Sequence, residues 1–210
     1  MYIDFPQVSP VIFSIGAFSL RWYALAYLIG ITAGWLLVKR NIVKYNMDIS
    51  FEQLDDIVFY TTLGVILGGR IGYVLCYGGN YFINNPFEIF AIWHGGMSFH
   101  GGIVGVIIGL WYFCYKYKFK FLKITDLAAL YVPIGIFLGR IANFINDELW
   151  GRVTTVPWAV KFPNGGYLPR HPSQLYEALT EGLLMFLILS YLWKKDFPEL
   201  LFLSVKTVSK

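Results

Sequence analysis

The stretch from Leu127 to Asn146, LAALYVPIGIFLGRIANFIN, holds twenty residues and a single charge, Arg140. An α-helix rises ~1.5 Å per residue, so about 20 mostly apolar residues cross the hydrocarbon core of a bilayer. Four further stretches have the same character: Trp22 to Val38, Ile57 to Tyr77, Met97 to Tyr115 and Leu175 to Trp193. A sixth run, Leu200 to Val205, is too short to span. Composition agrees with this reading. The 210 residues are 57% hydrophobic, 19% aromatic and only 14% charged, against roughly 25% charged in soluble domains. A soluble fold of this size cannot bury so much apolar surface, and 17 Lys plus Arg against 13 Asp plus Glu is too weak an imbalance for a nucleic-acid binder. The expected fold is an all-α polytopic membrane protein of about five spans, a single transmembrane domain over residues 1–210. The first basic residue is Arg21, so the charged start of a cleavable signal is missing and the first apolar stretch is expected to stay as an anchor.

Orientation follows from the basic residues, which concentrate in cytoplasmic loops. Lys39, Arg40 and Lys44 follow span one, Lys116, Lys118, Lys120 and Lys123 follow span three, and Lys194 and Lys195 follow span five, whereas Gly78 to Trp93 contains no Lys or Arg. All clusters share one side if the amino terminus is outside. The one sizeable outer segment is then residues 147–174, where Val156 to Phe162, an Asn164-Gly165 turn signal and Tyr167-Leu168 read as a small hairpin cap.

Ionisable residues within spans are costly and face a bundle interior or a watery cavity. With this orientation Arg70, Arg140, Arg21 with Tyr23, His100, and Glu177 with Glu181 all fall at one level of the outer leaflet, while the inner half reads as nearly pure hydrocarbon. Snorkelling and structural ion pairing compete with a functional reading for each of them. Gly64, Gly68 and Gly72, and again Gly101, Gly105 and Gly109, recur every four residues, the pattern that lets helices approach closely. Gly95-Gly96 and Gly101-Gly102 instead keep side chains away from His100.

Arginine offers phosphate a planar fork of donors, and an imidazole, with an ordinary pKa of about 6.5, suits a general base at neutral pH. Together they suggest group transfer on an anionic lipid. His94, His100 and His171 lack acidic partners at metal-ligand spacing, so no metal and no cofactor is expected. Cys76 and Cys114 lie near opposite faces. Two other readings remain. In one, the same arginines bind an anion or lipid without chemistry; in the other, Ser98 near His100 makes an intramembrane serine hydrolase, although the trailing glycine of a nucleophile elbow is absent.

The run Gly139-Arg140-Ile141-Ala142-Asn143-Phe144-Ile145-Asn146-Asp147-Glu148-Leu149-Trp150-Gly151-Arg152 resembles the signature of prolipoprotein diacylglyceryl transferases. His94 to Gly102, Arg170 to Glu177, Gly68 to Tyr73 and Arg21-Trp22-Tyr23 match as well, so the resemblance covers about Phe5 to Trp193. It implies a multi-pass enzyme of the bacterial inner membrane with its site toward the periplasmic leaflet. It would move diacylglycerol from phosphatidylglycerol to the lipobox cysteine thiol of a prolipoprotein and release glycerol phosphate. The bilayer, phosphatidylglycerol and prolipoprotein peptides are the implied partners, with no nucleic acid. By matching position, His100, Arg140, Asn143, Glu148 and Tyr23 inherit catalytic roles; Arg140, Arg70, Gly151, Arg152 and Glu177 are expected to bind substrate. Asp147 departs from the pattern, which usually has glycine there. Family members usually have seven helices and continue with two more after the fifth span. The 210-residue chain by itself is therefore expected to be truncated and to show little or no activity.

Overall fold

The computed structural model describes residues 2–6, 8–16 and 18–195. The short run at 200–205 lies outside them. Five helices are long and apolar enough to cross a membrane: α1 Trp22–Lys44, α2 Phe51–Tyr77, α3 Phe99–Tyr117, α4 Phe121–Ile145 and α5 Ser173–Lys195. Leu28, Val43, Leu75, Leu122 and Tyr191 stand exposed on them, as side chains do whose solvent is lipid. The chain divides into two compact units: the described residues of Met1–Leu37 with those of Ala128–Lys210, and Val38–Leu127.

In the second unit α2 begins one and a half turns earlier than the expected Ile57. Ser50 and Gln53 form a capping box: the Gln53 N–H donates to Ser50 Oγ at 3.2 Å and the Ser50 N–H to Gln53 Oε1 at 2.9 Å. The helix therefore includes Asp56, whose carboxylate takes Lys116 Nζ at 2.8 Å and the Tyr117 hydroxyl at 2.6 Å. That polar cluster lies just beyond the expected bounds of spans two and three, on what the Lys pattern makes the inner side. The glycine repeats close the α2–α3 contact as expected. A Cβ on Gly105 would fall 1.9 Å from the Gly64 carbonyl oxygen, and one on Gly68 2.3 Å from that of Gly101. Only glycine permits two backbones so near.

In the first unit α1 meets α4 at Gly30, where a Cβ would lie 3.3 Å from Gly135 Cα. Helix α5 meets α4 at Gly182, where a Cβ would lie 2.6 Å from Phe137 Cβ. Between them sits the cap. Its strand Val160–Lys161 pairs in parallel with Ile3–Asp4, and Val11–Ile15 pairs antiparallel with Phe18–Arg21. The expected hairpin forms at Val160 and Arg170, with its returning arm beyond Tyr167-Leu168 and a further strand added beside it. The chain turns at Pro163–Gly165, but the segment that comes back beside Val160 is Arg170, and the strand partner is the amino-terminal Ile3–Asp4. Apolar burial explains this pairing: Phe5 lies 5.4 Å from Phe144 and 5.6 Å from Phe162, ring to ring, in the small core under the cap.

Candidate active site

Helix α4 ends in a way that sets the site. Asp147 adopts φ 56°, its N–H donates to Phe144 O at 3.1 Å, and the Glu148 N–H reaches back to Asn143 O at 3.1 Å. This is the Schellman arrangement, in which the residue after the helix takes the left-handed conformation. Glycine is preferred at that position because it has no Cβ to clash. The turn folds Glu148 over the last helical turn, where Asn143 Nδ2 donates to Glu148 Oε1 at 2.8 Å and Asn146 Nδ2 at 3.2 Å. Gln174, fully buried, donates to the Glu148 carbonyl at 2.5 Å and ties α5 to the same turn. Asp147 is 8% exposed, accepts the Asn164 N–H at 2.5 Å through Oδ2, and leaves Oδ1 without a partner. Burial pushes its carboxyl above the ordinary range, partly offset by that backbone bond.

One turn back on α4, Arg140 Nε lies 2.8 Å from Glu177 Oε2, and Nη2 lies 3.9 Å from Glu181 Oε2. The closer pairing is made through Nε. Tyr23 at the start of α1 interacts electrostatically with both Glu148 and Arg140, and its hydroxyl lies 3.4 Å from that of Tyr27. Tyr23, Arg140, Asn143, Glu148 and Glu177 therefore share one unit.

Gly151 and Arg152 line a shallow depression of about 400 Å³ together with His171, Ser173 and Tyr176. Here glycine packs tightly: a Cβ on Gly151 would sit 3.0 Å from both His171 Cβ and His171 O. The Trp158 indole N–H donates to the Tyr176 hydroxyl at 2.7 Å, and that hydroxyl lies 3.1 Å from His171 Nδ1. His171 and Arg170 open the matching run Arg170 to Glu177. Arg170 stacks 4.3 Å from the Trp150 ring, a cation–π contact that nothing local in the sequence signals.

The second unit carries Arg70 and His100. Arg70 is 5% exposed, and its guanidinium donates to four carbonyls: Ile89 at 2.9 Å, Glu88 at 2.5 Å, Gly96 at 3.1 Å, and Gly95. The fork braces the loop that leads into α3, and few donors remain for a ligand. His100 is exposed in the first turn of that helix. Ser98 is its N-cap, with Oγ accepting the Gly101 N–H at 3.2 Å, so the hydroxyl oxygen serves the helix end. Among the described residues no three His, Cys, Asp or Glu are grouped to hold a metal ion.

A profile of the prolipoprotein diacylglyceryl transferase family matches residues 10–207. The chain belongs to that family. It is 52% identical over 187 residues to the phosphatidylglycerol–prolipoprotein diacylglyceryl transferase of Rickettsia canadensis (strain McKiel), covering 89% of this chain and 72% of the relative. The enzyme of the same name from Pasteurella multocida (strain Pm70) is 53% identical over 198 residues, 94% of this chain and 73% of the relative. That of Pseudoalteromonas atlantica is 54% identical over 197 residues, 94% and 70% of the two chains. With five apolar helices, this prolipoprotein diacylglyceryl transferase is a multi-pass membrane protein.

Proposed function

We propose that the protein transfers the diacylglyceryl group of phosphatidylglycerol to the lipobox cysteine thiol of a prolipoprotein, in the inner membrane and on its periplasmic side. The cysteine sulfur forms a thioether bond to the glyceryl carbon, the bond from that carbon to the phosphate oxygen breaks, and glycerol phosphate leaves with the electron pair. A free thiol, with an ordinary pKa of about 8.5, is mostly protonated at neutral pH, so a base is needed. His100 takes that proton. Arg140 neutralises the phosphate as its charge grows, and a guanidinium already fixed in place needs no reorganisation to do so. Tyr23, Asn143 and Glu148 form the polar wall beside it, with Asn143 holding the Glu148 carboxylate. Arg70 keeps the loop before His100 in place rather than meeting phosphate. Gly151 and Arg152 belong to the cap depression, where Arg152 supplies a positive charge to an anionic headgroup.

The observation that best supports this reading is Arg140, held at 2.8 Å by Glu177 through Nε, with Glu181 only at 3.9 Å from Nη2. The test is transfer itself. A lipobox peptide incubated with the protein and phosphatidylglycerol in mixed micelles should gain diacylglycerol in a thioether that resists hydroxylamine. Binding of phosphatidylglycerol with no modified peptide would favour a lipid-binding protein instead.

A further inference from the structure

Helix α5 is not uniform. Ser173–Glu177 is α-helical, Ala178–Leu184 widens to a π-helix, and Met185–Lys195 is α-helical again. At the end of the wide segment the Met185 N–H bonds to Thr180 O, five residues back. Such insertions are rare and collect at functional sites. This one begins directly after Glu177 and contains Glu181, the two carboxylates that face Arg140. It also packs Gly182 against Phe137, one turn before Arg140 on α4.

The two carboxylates are not equivalent. Glu177 is 32% exposed and holds Nε at 2.8 Å; Glu181 is 55% exposed and stands 3.9 Å from Nη2. When all three groups are ionised, two negative charges face one positive charge, so the cluster is one negative charge in excess. A lipid phosphate adds a further negative charge against the same guanidinium. Like charges at this spacing repel, and the partner that can withdraw at least expense is the loose, exposed one.

Resting on the reading of Arg140 as the phosphate ligand, we propose that Glu181 is a positioning residue that competes with the lipid phosphate for Arg140. Glu177 anchors the guanidinium by its Nε edge; Glu181 occupies the Nη2 side in the empty site and yields it to phosphate. The π segment supplies the geometry, because it carries Glu181 while Glu177 ends the regular turn before it. Glu181 thus keeps Arg140 aimed when no lipid is bound and sets a threshold that the phosphate has to overcome.

The test is equilibrium binding of phosphatidylglycerol to the protein in mixed micelles, with phosphatidylethanolamine as the zwitterionic comparison. Glu181→Gln keeps size and shape and removes the charge. It should tighten phosphatidylglycerol binding roughly threefold, the scale of one exposed charge pair. Glu181→Asp should bind like the wild type, and Arg140→Ala should bind more weakly. Unchanged or weaker binding by Glu181→Gln, with Arg140→Ala still impaired, would overturn the competition and leave Arg140 as the phosphate ligand. Equal tightening by Glu181→Asp would trace the effect to packing and overturn it too. If Arg140→Ala binds normally, the phosphate reading itself falls and the proposal falls with it.

Discussion

Arg140 and Lys carry the same charge but different forks, and that difference separates phosphate recognition from charge balance. Arg140→Lys keeps a cation for Glu177 but loses the paired donors on Nη1 and Nη2, so turnover should fall nearly as far as in Arg140→Ala, on the order of 10²-fold for a lost preorganised donor. His100→Gln should lose at least ~10² in turnover while lipid binding persists, since an amide cannot take a proton. Steady-state rates with the lipobox peptide decide both, and near-normal turnover in either variant removes that residue from the mechanism. Asp147 makes a prediction about pH. Burial raises its carboxyl above the ordinary 3.8, so the folded cap favours the protonated form. The corresponding stability is present below pH 3.8 and is lost as pH rises through the higher folded value. Asp147→Asn keeps an oxygen for the Asn164 N–H and cannot ionise. The wild-type unfolding temperature should therefore fall below the variant's as pH rises from about 4 toward neutrality, with the two converging in acid. Parallel curves over that range would mean that the carboxyl ionises without a penalty from burial.

At the level of elements, two glycines make a matched pair. Gly105 lies where α2 and α3 touch, and its missing Cβ would overlap the Gly64 carbonyl at 1.9 Å. Gly135 on α4 has nothing within 4 Å of a Cβ. Gly105→Ala must push two backbones apart and should destabilise the protein by about 1–3 kcal/mol, the usual scale of overpacking. Gly135→Ala should be neutral or mildly stabilising, because alanine suits a helix better than glycine. Thermal unfolding in detergent reads both. A stable Gly105→Ala protein would mean that the helices separate without loss, contrary to their contact along Gly64, Gly68 and Gly72.

For the whole molecule the decisive variable is orientation. The Lys clusters place the amino terminus outside, which puts Cys76, at the end of α2, on the outer face. Cys76 is exposed and should react with a membrane-impermeant maleimide added to intact cells. Cys114 is buried and makes a poor reporter of the inner face, so that side is better read at the exposed Lys120. In a Cys76→Ser background, Lys120→Cys should stay unlabelled until the membrane is opened. Labelling in the opposite order would invert the protein and place Arg140 and His100 on the cytoplasmic side.

The five spans were legible in the sequence because a bilayer reads only length and apolarity, both local properties. The glycine contacts were legible for a similar reason, since a four-residue period puts small residues on one helix face whatever the partner. The transferase signature, with Arg140, Asn143 and Glu148 at fixed spacing, was legible as a pattern, but its internal logic was not. The left-handed turn at Asp147 that brings Glu148 onto Asn143 is a conformation glycine adopts most readily, and it emerges only once the helix end is folded. Tertiary structure alone decided the rest. It added Ile3–Asp4 beside Val160–Lys161, turned Arg70 onto four carbonyls, and widened α5 beside Arg140. Each depends on a partner distant in sequence or on a helix defect without a residue code. Hydropathy and spacing determine which segments enter the membrane; which donor meets which acceptor there is set by packing, because buried polar groups take the nearest partner the fold provides.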